Sequence, residues 1–287
     1  MPNDPARTPA CPLPAGQVRV YALEVPPDFR ELVTEPDAAA KVLSANEMAR
    51  FRRYRVARRR NDLVLSRVLL RVALAHMGAA DGGTPELRLD ERGKPHLAPG
   101  PVGPPLQVNT SDTTGMIIWA FSREGRLGCD VERLGEDRDR IATTHFAAPE
   151  LAAYRSLRGT DKLLRFYELW TCKEAVLKAD GRGLGVPLDS FCLRFPTPGP
   201  EGSAAVEILA AATGPAPGPW QVRRFRPGPG HQAAVACTAP HDIDLCCCVV
   251  RLGEADPALA RPWTLLVHPV RNDGLIRPDE IVFTPGR

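Results

Sequence analysis

Two acidic residues, Asp130 and Glu132, stand on either side of a valine in a short apolar segment, GRLGCDVERL. The segment reads as a strand, in which residues two apart face the same way, so both carboxylates project from one surface. Two carboxylates that close repel each other unless a cation or a proton lies between them. A solvated strand face is the alternative for such a pair taken alone.

A second candidate is the segment Trp170–Lys178, WTCKEAVLK. On a helix, Trp170, Glu174 and Lys178 are spaced four residues apart and share roughly one face. A surface ion pair between Glu174 and Lys178 is the alternative interpretation. Mg²⁺ prefers oxygen ligands and is usually held by a few carboxylates together with substrate phosphates. Three carboxylates with lysines nearby therefore match a site for a pyrophosphate and Mg²⁺.

Seven arginines occur in the eleven residues from Arg50 to Arg60. Most of such a run is normally a solvated helix surface. The forked donors of arginine also suit phosphate, so one or two of these residues are candidates for an anionic ligand. A nucleic-acid-binding protein would use such a run too, but no aromatic platform or binding motif accompanies it. We therefore expect no nucleic-acid partner.

Composition narrows the class of protein. The 287 residues carry a formal net charge of +3, and 44% of them are hydrophobic, which is typical of a globular protein. Because no run of 18 apolar residues occurs, we expect no membrane span. The eight cysteines include the run 246–248, which reads as a buried strand, and a reduced, cytoplasmic protein is the simpler interpretation. No P-loop or dinucleotide-binding motif occurs.

Helix and strand patterns predict an α+β fold in two blocks. A helical region opens at a capping box, Ser44 with Glu47, and the longest helix ends at Gly181. Strand patterns precede and follow these helices in both blocks. We predict a flexible leader (1–16), an N-terminal α+β subdomain (17–124), a C-terminal α+β subdomain (125–252) and an extension of unknown role (253–287).

Read together, Gly128–Glu132 and Trp170–Lys178 resemble the paired signatures of the 4′-phosphopantetheinyl transferases. The continuation at 179–191 and the segment 93–95, Gly-Lys-Pro, also resemble segments of that family. The resemblance covers roughly residues 45 to 240. In length, the chain resembles the members of the larger, surfactin-synthetase-activator type. This implies a monomer of two similar α+β halves related by a pseudo-twofold axis, with the active site at their interface.

The resemblance also implies an activity and its residues. The enzyme would transfer the 4′-phosphopantetheine arm of coenzyme A to a serine of an apo-carrier protein, releasing 3′,5′-ADP. Asp130, Glu132 and Glu174 would hold Mg²⁺, Glu174 would take the proton of the serine, and Lys178 would assist the leaving group. The residues implied at coenzyme A are Lys94, Pro95, Ser111, Asp112, Lys173 and Lys178, with Arg52 and Arg60 from the arginine run.

One position departs from the family. Where the family often has a histidine that contacts the 3′-phosphate of coenzyme A, this chain has Asp112. An aspartate facing a phosphate is unfavourable, so either Asp112 turns away, paired with one of the arginines, or the 3′-phosphate is held differently.

A relative that binds coenzyme A or a carrier protein without turnover is the alternative function. The sequence does not indicate which carrier protein is modified.

Overall fold

In the computed structural model, the residues described are 11–25, 36–79, 87–98, 106–136, 138–196, 201–252, 265–271, 274–275 and 279–281. The helices are α1 (Pro36–Ala40), α2 (Ala45–Arg53), α3 (Ala57–His76), α4 (Asp139–His145), α5 (Ala148–Ser156) and α6 (Gly159–Asp180). None of the helices in this part of the chain is long and apolar enough to cross a membrane.

The first strands are β1 (Gln17–Glu24), β2 (Leu87–Leu89), β3 (Pro95–Leu97), β4 (Gln107–Thr113), β5 (Met116–Ser122), β6 (Leu127–Arg133) and β7 (Phe191–Arg194). The remaining strands are β8 (Gly202–Ile208), β9 (Trp220–Phe225), β10 (His231–Thr238), β11 (Asp244–Leu252), β12 (Leu265–Arg271), β13 (Gly274–Leu275) and β14 (Asp279–Ile281). The mixture of helices and sheets agrees with the predicted α+β class.

Two sheets form the body of the molecule. The first has the order β13-β12-β11-β1-β5-β4, with β14 paired to β12, and the second has the order β6-β10-β9-β8-β7. Helix α3 packs on the outer face of the first sheet and α6 on the outer face of the second. The inner faces share a core that includes Val20 and Ile118 from the first sheet and Val131 and Val235 from the second. Asp130 and Glu132 thus lie on β6, and the segment Trp170–Lys178 lies on α6, which packs on the sheet that contains β6.

Local signals in the sequence account for the ends of the helices. The predicted capping box is present at α2, where Ser44 Oγ accepts the Glu47 N–H and Glu47 accepts the Ser44 N–H. Helix α6 ends at Gly181, whose φ of 83° is the left-handed conformation that glycine adopts without strain. Both predictions are confirmed.

Strand β6 approaches α6 closely because it contains Gly128. A Cβ atom at this position would lie 2.1 Å from the carbonyl oxygen of Ala175 and 2.4 Å from the nitrogen of Ala179, both in the α6 backbone. No side-chain rotation can relieve contacts with backbone atoms. Gly128 therefore sets the distance between the strand of Asp130 and the helix of Glu174.

We expect Gly128→Ala to reduce the free energy of unfolding by at least about 3 kcal/mol, because strand and helix must separate to admit the methyl group. Urea unfolding followed by tryptophan fluorescence measures this change. Gly185→Ala is the matched control, since Gly185 has no positive φ and its added Cβ would meet nothing closer than 4.0 Å. Equal stabilities of the two variants would contradict the close approach.

Strand β11 joins the first sheet, although it follows the strands of the second. It pairs in parallel with β1, opposite Gln17 to Leu23. The predicted boundary at residue 252 therefore does not follow the sheets, because residues 244–252 return to the N-terminal half. The cysteine run lies in this strand. Cys246 and Cys248 belong to the core between the first sheet and α3, and Cys247 belongs to the core between the two sheets. All three are buried, as the sequence predicted.

The two ends of the chain also differ from the prediction of a loose leader and a separate extension. Residues 1–10 lie outside the described part, but Leu13 is buried in the core beneath α3 and the Cys11 N–H donates to the carbonyl of His76. At the other end, β12 pairs with β11 and extends the first sheet. The described residues 11–16 and strand β12 thus lie with the N-terminal half.

Candidate active site

A cleft of about 320 Å³ lies where the β2–β3 hairpin, strand β4 and helix α6 meet. Its walls include residues from the predicted signature on α6 and from the segment 93–95. The lining residues are Arg92, Gly93, Lys94, Pro95, Asn109, Thr110, Glu174, Leu177, Lys178, Gly181 and Gly183. The structure thus brings four of the predicted site residues, Lys94, Pro95, Glu174 and Lys178, into one cavity.

Asp130 lies beside this cleft, bonded to Lys178. The Lys178 Nζ donates to Asp130 Oδ1 at 2.7 Å and to Ser111 Oγ at 2.9 Å, and Ser111 Oγ donates to the same Oδ1 at 2.8 Å. Burial opposes the charge of Lys178, but Asp130 raises its pKa above the usual value. The other carboxylate oxygen, Asp130 Oδ2, is buried and has no hydrogen-bond partner among the described residues. A buried carboxylate oxygen in that state is suited to a cation.

Glu132 and Glu174 share the negative environment of Asp130. Burial, and after it the charge of Asp130, raises the pKa of both glutamates. A hydrogen bond with Trp170 opposes the shift at Glu132, and Lys178 opposes it at Glu174. Trp170 interacts with Glu132, and Glu174 and Lys178 interact with Asp130, which agrees with the predicted shared face of these three residues. The charge of Asp130 thus repels both glutamates.

The donor set fits a hard divalent cation. It offers carboxylate oxygens, one of them buried and unbonded, in a group with more negative than positive charge. In the side-chain conformations described, however, no three His, Cys, Asp or Glu residues of the described ranges are gathered into a metal cage. The positive charge in contact with Asp130 is that of the Lys178 ammonium group.

Lys94, from the β2–β3 hairpin, also lines the cleft. Its Nζ donates to the carbonyl of Ala179 at 3.2 Å, and Arg92 donates to the carbonyl of Gly181 at 3.4 Å. Both cations therefore meet the C-terminal end of α6, where carbonyl groups lack helical partners. Burial lowers the pKa of Lys94. The cleft consequently has basic side chains on both walls, which suits an anionic ligand.

Lys173 does not lie with this group, which corrects the expectation that it contacts phosphate. It is fully buried on another face of α6, where its Nζ lies 2.8 Å from Glu150 Oε2. The same nitrogen donates at 2.7 Å to the carbonyl oxygens of Leu188 and Phe191. All three ammonium protons are thus used inside the protein. One residue along a helix turns the side chain by about 100°, which explains why Lys173 and Glu174 face different surroundings.

The arginine run divides between structure and surface. Arg60 donates to the carbonyl of Tyr54 at 2.7 Å and lies over the Phe51 ring, so it holds the α2–α3 turn and is not directed at the cleft. Arg52 is exposed on α2. Asp112 pairs with Arg59 at 3.7 Å, as one of the two alternatives predicted. Neither Arg52 nor Arg60 is among the residues that line the cleft.

Sequence reasoning missed Asn109, Thr110 and Arg92, which line the cleft, and it missed Arg59 as the partner of Asp112. Asn109 and Thr110 lie in the strand that carries Ser111, so their position beside a predicted site residue was the available signal. Arg92 precedes the segment 93–95 by one residue. Nothing in the sequence distinguished Arg59 from the other arginines.

Comparison with known proteins agrees with the predicted family. Residues 126–236 match the family model of the 4′-phosphopantetheinyl transferase superfamily. The 4′-phosphopantetheinyl transferase ffp of Bacillus subtilis is 27% identical over 206 residues, which cover 72% of this chain and 87% of that protein. The 4′-phosphopantetheinyl transferase HetI of a Nostoc species is 30% identical over 167 residues, 58% of this chain and 70% of its own length. The 4′-phosphopantetheinyl transferase Sfp of Bacillus subtilis is 27% identical over 177 residues, covering 62% and 74%.

Proposed function

The chain belongs to the 4′-phosphopantetheinyl transferase superfamily, and we propose that it transfers the 4′-phosphopantetheine arm of coenzyme A to a serine hydroxyl of an apo-carrier protein, acyl or peptidyl. The observation that carries this proposal is the cleft that joins Lys94 and Pro95 of the N-terminal half with Glu174 and Lys178 of α6. Basic groups on both walls suit the phosphates of coenzyme A, and the carboxylates beside them suit a hydroxyl substrate that must lose a proton.

Asp130, Glu132 and Glu174 are the residues that would hold Mg²⁺. The unbonded Asp130 Oδ2 and the raised pKa values of the two glutamates support this assignment, because both reflect negative charge that a cation would offset. When bound, the ion would neutralise charge on the pyrophosphate of coenzyme A during transfer.

Glu174 would act as the base that removes the proton of the carrier serine. Its side chain lines the cleft, where a serine hydroxyl could meet coenzyme A. The serine oxygen attacks the β-phosphorus of coenzyme A and forms a phosphoester bond. The bond from that phosphorus to the bridging oxygen breaks, and 3′,5′-ADP leaves with the electron pair. Lys178, 30% exposed beside the cleft, would stabilise the charge on the departing phosphate.

Lys94 and Pro95 would contact the adenine and ribose-phosphate end of coenzyme A. They lie on the β2–β3 hairpin, across the cleft from Glu174. We further propose that the protein works as a cytoplasmic monomer, with pseudo-twofold related halves contributing to one site at their interface. The shared core between the two sheets supports this arrangement.

The test is incubation of the protein with coenzyme A, Mg²⁺ and a panel of apo-carrier domains from fatty-acid, polyketide and peptide synthases. A gain of about 340 Da, the mass of the phosphopantetheine arm, would establish transfer and identify the partner. Binding of coenzyme A without any mass gain on the panel would favour a non-catalytic relative.

Asp112 leads to a prediction about the donor. Because a carboxylate replaces the family's histidine, and its pairing with Arg59 is solvent-exposed and therefore weak, we expect poor recognition of the 3′-phosphate. The ratio of kcat/KM for coenzyme A to that for 3′-dephospho-coenzyme A should stay below about a hundredfold, and Asp112→His should raise it. A wild-type ratio above that value would contradict the prediction.

A further inference from the structure

Strand β4 is joined to strand β6 through its side chains, although the two strands belong to different sheets. Asn109 Oδ1 accepts the N–H of Cys129 at 2.9 Å. Ser111 Oγ donates to Asp130 Oδ1 at 2.8 Å, and Thr113 Oγ1 lies 3.5 Å from Glu132 Oε2. Alternate residues of β4 thus bond to successive groups along β6. We call these three side chains, Asn109, Ser111 and Thr113, the β4 ladder.

Ser111 has a particular place in the ladder. Its hydroxyl donates to Asp130 Oδ1 and accepts a hydrogen bond from Lys178, so both of its bonds are made inside the protein. Its neighbours Asn109 and Thr110 line the cleft, whereas Ser111 is buried and is not among the lining residues. These two hydrogen bonds make Ser111 a structural support for Asp130 and Lys178.

The bonds of Ser111 also decide which oxygen of Asp130 is left over. Oδ1 accepts from both Ser111 and Lys178, which fixes the rotation of the carboxylate. Oδ2 is then left buried, with no hydrogen-bond partner in the part of the chain that the structure describes. Groups that hydrogen-bond a metal-ligating carboxylate orient it, and losing one typically lowers metal affinity by about ten- to a hundredfold.

We propose that Ser111 is a positioning residue, which orients Asp130 for a divalent cation without contacting coenzyme A itself. The inference rests on the proposed function, and it departs from the expectation that Ser111 binds the coenzyme. Asn109 supports the same strand by holding the backbone N–H next to Asp130. Through the ladder, the N-terminal half sets the geometry of carboxylates carried by the C-terminal half.

The test compares two affinities in the full-length protein. Mn²⁺ binding is measured by electron paramagnetic resonance with coenzyme A present, and coenzyme A binding is measured by calorimetry in excess EDTA. We expect Ser111→Ala to weaken Mn²⁺ binding by about tenfold and to change coenzyme A binding in EDTA by less than about twofold. Ser111→Thr, which keeps the hydroxyl, should restore Mn²⁺ binding.

Ser122→Ala is the matched control, because Ser122 is a buried strand serine whose hydroxyl also donates one hydrogen bond and accepts another, with the Glu124 carbonyl and N–H. It should leave both affinities unchanged, and urea midpoints show that each variant is folded. Weaker coenzyme A binding by Ser111→Ala in EDTA would make Ser111 a ligand contact and overturn the inference. If Ser111→Ala left the Mn²⁺ affinity unchanged, the inference about Ser111 would be overturned and the proposed metal site would stand. A wild-type protein that binds no Mn²⁺ would overturn the proposed metal site as well.

Discussion

Replacing Glu174 with glutamine is expected to lower the rate of phosphopantetheine transfer by about a thousandfold or more, because the variant loses both a charged oxygen ligand and the proposed base. The amide keeps the size of the side chain, so the fold should be retained. The burial of Glu174 and the nearby charge of Asp130, which raise its pKa, should make the neutral side chain easy to accommodate. The rate of holo-carrier formation, followed by mass spectrometry, measures the effect.

Glu207→Gln is the control for this change. Glu207 is an exposed residue of β8 that pairs with Arg194 at 2.7 Å, so its loss should leave the transfer rate unchanged. Circular dichroism and urea midpoints of both variants should match those of the wild-type protein. If Glu174→Gln kept a rate within about tenfold of the wild type, Glu174 would be neither the base nor an essential ligand.

Replacing Lys173 with methionine is expected to reduce the free energy of unfolding by about 3 to 5 kcal/mol. The change leaves Glu150 charged and without its buried partner, and the carbonyl groups of Leu188 and Phe191 lose a donor. Burial already raises the pKa of Glu150, a shift that Lys173 opposes. Urea unfolding at neutral pH measures the loss of stability.

Two further variants separate this buried pair from a direct role at phosphate. Lys173→Met combined with Glu150→Gln should recover part of the lost stability, because no uncompensated charge remains. Lys162→Met, also on α6, removes a lysine whose partner Asp139 is largely exposed, and should cost less than about 1 kcal/mol. A stable Lys173→Met protein that bound coenzyme A poorly would restore Lys173 as a phosphate ligand.

Local features of this fold were predictable because they depend on neighbouring residues. The capping box at Ser44 and the end of α6 at Gly181 follow from short-range backbone chemistry. The burial of the cysteine run follows from its strand pattern. The shared face of Trp170, Glu174 and Lys178 follows from the helical repeat.

Long-range features were not predictable in the same way. An apolar alternation indicates a strand but not its partner, so the pairing of β11 with β1 could not be read from the sequence. The family resemblance grouped Lys173 with Lys178 because they share a motif, whereas the helix directs them to different surroundings. Asp112 and Arg59 are far apart in the chain, and only the fold brings them together.

The mass of an apo-carrier protein after incubation with coenzyme A tests the central claim most directly, when EDTA-treated protein is compared with and without added Mg²⁺. Three carboxylates that hold a divalent cation beside coenzyme A predict a gain of about 340 Da that depends on Mg²⁺. The same gain in excess EDTA would contradict the metal site formed by Asp130, Glu132 and Glu174. No gain on any carrier domain with Mg²⁺ present would contradict the proposed transfer itself.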